Sequence, residues 1–271
     1  MKIIEQFIKG KREDQRHCED GIFAGEHFIA VIDGVTSKGN HKWCGEFSSG
    51  CHGKNVVLAA LENMPHDIDC DGFFETLDRA LCDGYKAEMD EDILPEFLRV
   101  CIIVYSKHYN EIWSLGDCQC MINGKHYETP KYVDTLMSDL RAFVIESAML
   151  TEGLEENTLY TNDIGREAVV PFIKKQFAFE NKEDSVFGYG VLNGHGVKTG
   201  FVSKYPVKSG DTVVLASDGY PALCDSLEKS ESELVRLLET DPLCYKENRG
   251  TKGISGDNAS FDDRSYIKFE V

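Results

Sequence analysis

The sequence of 271 residues predicts an antiparallel, layered α+β fold, and three observations carry that expectation. Strand-like segments fall in hairpin-like groups. Helical segments fall in pairs, whereas a doubly wound parallel sheet would alternate strand and helix one by one. Asn123-Gly124 sits between two short alternating runs, which is a strong signal for a two-residue hairpin.

The elements follow in order. Residues 26–33 form a short apolar run closed by Asp33-Gly34, read as a buried strand stopped by a turn. Apolar residues recur with helical period over 47–63 and 73–90. Strands are expected at 98–105 and 111–115, the second running into Gly116-Asp117, and the hairpin joins 119–122 to 125–127. Helices are expected over 133–150 and 164–179, with 151–162 as the loop between them. Residues 212–218 repeat the first design and end in Asp218-Gly219. A helix over 230–239 opens on Ser230-x-x-Glu233, a capping box. Residues 265–271 alternate like a strand with one wet face. No repeat or Pro/Gly-rich linker divides the chain, so one domain spanning 1–271 is expected, with a mostly helical insertion around 128–200.

Composition narrows the function. With 47 Asp+Glu against 29 Lys+Arg the formal charge is −18, which disfavours nucleic acid and anionic membrane surfaces. A hydrophobic content of 42% can fill a core of this size. There is no run of 18 apolar residues and no secretory leader, so a soluble, cytoplasmic protein is expected. The ten cysteines lie mostly in apolar runs and read as reduced, buried thiols. Cys118 and Cys120 share a strand face but lack two further ligands at zinc-motif spacing.

The informative feature is a recurring local design in which an apolar strand delivers an aspartate to its end beside a glycine. It occurs at Asp33-Gly34, Gly116-Asp117 and Asp218-Gly219, and further acids stand at Glu19-Asp20 and Asp262-Asp263. One such aspartate is an ordinary turn residue binding its own backbone. Several converging in a layered sheet repel one another and call for hard divalent cations, while glycine lets a backbone carbonyl approach.

Cys18-Glu19-Asp20 with Val31-Ile32-Asp33-Gly34, then Ser114-Leu115-Gly116-Asp117, Ala216-Ser217-Asp218-Gly219 and Asp262-Asp263-Arg264-Ser265, resemble in order and spacing the motif set of the metal-dependent, phosphatase 2C-like protein phosphatases. The resemblance spans residues 19 to 265. It implies a four-layer αββα sandwich with two central antiparallel sheets and two Mg²⁺ or Mn²⁺ ions, with room for a third. It further implies that Asp33 bridges the metals and Gly34 offers its carbonyl, that Asp218 and Asp262 complete one ligand set, and that Glu19 and Asp20 act through waters. Asp117 with Asp218 would hold the third ion. Asp263 stands where the family usually has Asn. Asp257-Asn258 is a rival alignment of the last motif, and the strand directly after Asp262-Asp263 favours Asp262. The implied activity is hydrolysis of phosphoserine or phosphothreonine in proteins, or of a small phosphoester. Asp33 and Asp218 would be central to it, and the cations would invert the local sign of an acidic protein.

Two departures stand out. Many members carry Arg five residues before the Asp of the first acid pair, where this chain has Gln15; Arg16 is the substitute expected to grip phosphate. Eukaryotic members often follow Asp-Gly with His, where this chain has Val35. These departures motivate an alternative, a weak or inactive phosphatase fold that binds a phosphorylated partner. A second alternative is a calcium-binding interaction module, because Asp67, Asp69, Asp71, Gly72, Glu75 and Asp78 approach an EF-hand loop, although Asp78 stands where Glu is usual. Residues 45–55 fail as a phosphate loop and residues 188–196 fail as a dinucleotide fingerprint. There His195 reads as an exposed loop residue.

Overall fold

The computed structural model describes residues 1–36, 38–256 and 258–271. Asp257 of the rival alignment lies outside the described residues. In chain order the elements are β1 (Lys2–Lys9), β2 (Asp20–Ala24), β3 (Phe28–Gly34), α1 (Ser49–Leu61), α2 (Cys70–Lys86), β4 (Val100–Ser106), β5 (Glu111–Leu115), β6 (Gln119–Ile122) and β7 (Lys125–Tyr127). There follow α3 (Tyr132–Glu152), α4 (Ile164–Lys175), β8 (Ser203–Pro206), β9 (Thr212–Ala216), α5 (Leu227–Thr240) and β10 (Arg264–Glu270). The strands build two five-stranded sheets, ordered β2-β3-β4-β5-β8 and β1-β10-β9-β6-β7, and every pairing within them is antiparallel.

Side-chain alternation stacks these sheets into layers. On β3, Phe28, Ala30 and Ile32 face α1 and α2 together with Val100, Ile102 and Val104 of β4. The other face of the same strands, Ile29, Val31, Cys101, Ile103 and Tyr105, meets Val213 and Leu215 of β9 and Ile267 and Phe269 of β10. A strand buried on both faces must read as a continuous apolar run, which is what residues 28–32 and 100–105 are. Each such side chain contributes about 1.5–3 kcal/mol relative to exposure. The far side of the second sheet, through Val214, Ala216 and Tyr266, is covered by Tyr220, Leu223 and Leu227 at the start of α5. Helices therefore lie on both outer sides of a two-sheet sandwich, the α+β architecture that the motif resemblance implies.

Three strands escape the periodicity reading. β1 is an edge strand whose alternation is broken by a register shift between Ile3 and Glu5. β2 and β8 are five and four residues long. α5 starts one turn earlier than the capping box suggests: Ser226 is the cap, accepting from the Lys229 N–H, and Ser230 lies buried inside the helix. The calcium-loop reading is corrected. α2 already begins at Cys70, Asp69 caps it through the Gly72 N–H, and Asp78 points into the protein, accepting from the N–H groups of Asn193, Gly194 and Gly196. These acids do not converge. Cys118 and Cys120 are buried between the sheets among apolar side chains, and all ten cysteines are free thiols.

Candidate metal centre

Strand parity delivers the central aspartate. Ile29 and Val31 point between the sheets, and Asp33, two residues on, keeps the same side where the sandwich opens; Asp20 of β2 lies directly opposite it. Gly34 is glycine because α1 crosses here, and a Cβ would run into the carbonyl of Gly50. From the end of β5 the chain turns at Gly116 (φ +95°) to present Asp117, and the end of β9 presents Asp218.

Carboxylate oxygens of Asp33, Asp117 and Asp218 lie within 4.8 Å of one another. Burial, then Asp218, Asp20 and Asp117, hold the Asp33 carboxyl well above its usual range. Asp218 opens to the cleft, yet desolvation by the surrounding wall and repulsion from Asp117 and Asp262 raise it too. Asp117 goes the other way: burial would raise it, but Lys131, 3.1 Å away, outweighs this and holds it down. One Asp117 oxygen, Oδ1, is buried with no hydrogen-bond partner among the described residues. Three carboxylates sharing a space with an ammonium at one side, and a buried oxygen left over, form a donor set that fits a hard divalent cation.

Glu19, Asp262 and Asp263 are treated differently, because the chain supplies its own cation. Lys11 Nζ lies 3.0 Å from Glu19 Oε2, 2.9 Å from Asp262 Oδ1 and 3.5 Å from Asp263 Oδ2. Burial alone would depress this ammonium, but Asp262, Glu19 and Asp263 outweigh it and keep Lys11 charged. Glu19 also accepts from Thr36 and Ser48, each at 2.7 Å, and Asp262 is held a second time by Lys252 at 2.7 Å. Asp263 clamps backbone, accepting from the Lys11 and Glu19 N–H groups at 2.6 and 2.9 Å. Asp20 accepts from Ser217 and Ser265, tying the two sheets together, and burial pushes its carboxyl up to about 7. No sequence signal pointed to Lys11, whose bond to Asp262 spans 251 residues.

The cleft over Asp33, Asp117, Asp218 and Asp262 is lined by Lys38, Lys131, Arg166 and Lys252. Burial pushes Lys38 down to about 7, with Lys252 and Arg166 adding repulsion. Lys131 and Arg166 come from the α3–α4 region. Arg16 is not among the lining groups: its side chain is 69% exposed and bonded to Asp14 at 3.1 and 2.7 Å. The structure thus places Arg16, expected to grip phosphate, outside this cleft and bonded to Asp14 instead. Gln15 closes its own turn, accepting from the Gly10 N–H. Val35 lines the cleft, whereas His195 stacks on Phe97 at 3.8 Å between ring centroids.

No protein-family model matches the sequence, and no curated protein matches it. Among solved structures, the serine/threonine phosphatase PstP/Ppp of Mycobacterium tuberculosis superposes with a TM-score of 0.50 at 14% identity, covering 100% of this chain and 99% of that one. This chain has the phosphatase 2C-like fold. The PPM phosphatase MsPP of Mycobacterium smegmatis (TM-score 0.47, 14% identity, 100% of both chains) and Stp1 of Staphylococcus aureus (0.48, 13%, 98% and 94%) are also similar. In the phosphatase 2C-like sandwich described above, both sheets contribute acids to one end: Asp20 and Asp33 from one, and Asp218 and Asp262 at strand ends of the other.

Proposed function

We propose that this chain is a metal-dependent phosphomonoester hydrolase acting on phosphoserine or phosphothreonine proteins. The observation that carries the reading is the convergence of Asp33, Asp117 and Asp218 beneath a cleft lined by Lys131, Arg166 and Lys252, with Lys38 beside them. Asp33 and Asp218 would hold two divalent ions, Mg²⁺ or Mn²⁺, with Gly34 and Asp262 completing the set, Glu19 and Asp20 acting through waters and Asp117 serving a third. When bound, the pair supplies charge stabilisation for the phosphoryl oxygens and a nucleophilic water at neutral pH.

The chain's own groups do the rest. Lys38, Lys131, Arg166 and Lys252 draw a phosphate dianion into an otherwise acidic surface and orient its free oxygens. Thr36 and Ser48 fix the Glu19 carboxylate, and Ser217 and Ser265 fix Asp20, so the acids are held by rigid strand ends. The α3–α4 region, inside the helical insertion, contributes Lys131, Asp134 and Arg166 to the cleft wall and would select the substrate.

The purified protein with Mn²⁺ is expected to hydrolyse p-nitrophenyl phosphate and phosphopeptides. Asp33→Asn or Asp218→Asn should cost more than the roughly 10–100-fold typical of an outer partner of a metal ligand. Activity indifferent to both substitutions would sink the reading. One observation favours a second reading, a non-catalytic phosphopeptide binder: Asp262 is already engaged by Lys11 and Lys252. Calorimetry showing phosphopeptide binding without Mn²⁺ binding would select it.

A further inference from the structure

A second cluster of ligating side chains lies on the helical layer, built from residues the phosphatase reading does not use. Cys44 sits in the turn 43–47, held in a left-handed backbone conformation (φ +49°) that non-glycine residues seldom adopt. His52 is on the first turns of α1, and Glu88 follows the end of α2. Cys44 Sγ lies 3.7 Å from His52 Nδ1 and 3.4 Å from Glu88 Oε1, and donor atoms of all three fall within 4.8 Å of one another. Bond lengths of about 2.3 Å to sulfur and 2.0–2.1 Å to nitrogen or oxygen put neighbouring ligands of a tetrahedral ion about 3.5 Å apart. The two distances from the sulfur therefore already match the edges of such a tetrahedron.

The surroundings hold these donors in place. His52 stacks on the fully buried Trp43 (5.3 Å between centroids, 7° between planes), and burial lowers its basicity, which leaves a neutral ring with a free lone pair. The Cys44 N–H donates to Glu88 Oε1 at 3.0 Å, and His41 Nε2, outside the triad, stands 3.3 Å from Glu88 Oε2, so the carboxylate is held on both oxygens. Cys44 and Glu88 are exposed, which leaves the fourth side of the tetrahedron open to water. Oxygen-only acids of the kind found at Asp33 suit Mg²⁺ or Mn²⁺; a thiolate with an imidazole and a carboxylate suits a softer ion.

We propose that Cys44, His52 and Glu88 form a zinc-type transition-metal site, distinct from the aspartate centre. On binding, the Cys44 thiol loses its proton to solvent and the sulfur, one imidazole nitrogen and one carboxylate oxygen bond to the ion, with water as the fourth ligand. The ion cross-links the connection that leaves Asp33-Gly34 to the end of α2. That connection ends at Ser48, which donates to Glu19, so the staple braces the segment that holds the Glu19 carboxylate.

Co²⁺ as a spectroscopic probe separates the two centres, because only a thiolate ligand produces a sulfur-to-cobalt charge-transfer band. One equivalent of Co²⁺ added to the full chain is expected to raise that band and Zn²⁺ to abolish it. Asp33→Asn should retain the band and Cys44→Ser should lack it. His52→Gln and Glu88→Gln should each weaken Co²⁺ binding by at least about tenfold, with circular dichroism confirming that every variant is folded. A missing band in the unmodified chain, a band surviving Cys44→Ser, or indifference to both other substitutions would overturn the proposal.

Discussion

Two groups of carboxylates share one end of the sandwich and are neutralised in opposite ways. Glu19, Asp262 and Asp263 surround the buried ammonium of Lys11, and their remaining oxygens are met by Thr36, Ser48, Lys252 and backbone N–H groups. Asp33, Asp117 and Asp218 have Lys131 at one edge and keep a buried oxygen unpartnered among the described residues, and burial together with the neighbouring carboxylates raises the proton affinity of Asp33 and Asp218 while Lys131 holds Asp117 down. The difference is that the first group is neutralised within the chain, whereas the second keeps two raised carboxyls and an unpartnered oxygen, the features on which the proposed cation site rests.

The largest effect expected is at the satisfied group. Lys11→Met leaves the buried Glu19 and Asp263 without their countercharge and Asp262 with Lys252 alone, and should cost about 3–5 kcal/mol of stability in chelator, measured by urea unfolding. Added Mn²⁺ should restore part of that loss if the vacated space can take an ion. A loss under about 1 kcal/mol, the scale of an exposed ion pair, would mean that the ammonium is not what holds this group together, and the comparison would break.

A smaller effect sharpens the comparison at its outer anchor. Arg264, the first residue of β10 and next to Asp263, bonds Glu231 through both oxygens at 2.7 and 2.8 Å, and Tyr220 donates to the same carboxylate. Burial would raise Glu231, but Arg264 and Tyr220 outweigh it and hold it below its ordinary value of 4.5. A depressed carboxyl contributes stability that is present above the unfolded value and is lost as pH falls through the folded one. Glu231→Gln should therefore cost about 1 kcal/mol at neutral pH, with the gap closing as pH drops below 4.5. A gap that is constant with pH would assign Glu231 a packing role alone.

How far the sequence discloses this differs between the same two groups. Asp33, Asp117 and Asp218 are legible because each follows an apolar strand run and abuts a glycine, a pattern that strand parity converts into position. The Asn123-Gly124 hairpin and β5 were likewise readable to the residue, since local turn chemistry sets them. Lys11 was not legible. It lies between an edge strand whose alternation is broken and a polar turn, and its role depends on a partner at the other end of the chain. The cleft cations were equally hidden: Arg166 comes from a helix and Lys131 from the residue just before one, and helical periodicity reports packing and says nothing of which end overlooks the acids. Arg16 adjoins Gln15, which stands at the family's usual Arg position, but Asp14, two residues away, captures its guanidinium. The site at Cys44, His52 and Glu88 shows no motif spacing because its ligands come from a turn, a helix start and a helix end.

Thermal unfolding of the unmodified chain and of the Asp33→Asn variant, each with chelator and with Mn²⁺, tests the cation site most directly. In chelator the substitution removes a carboxyl whose ionisation burial and the neighbouring acids oppose, and the variant should melt higher, by about 2–4 °C for each kcal/mol recovered. With Mn²⁺ the order should reverse, because only the unmodified chain keeps the central ligand and gains stability from the ion. A variant that melts lower in chelator, or an unmodified chain that Mn²⁺ fails to stabilise, would contradict the account.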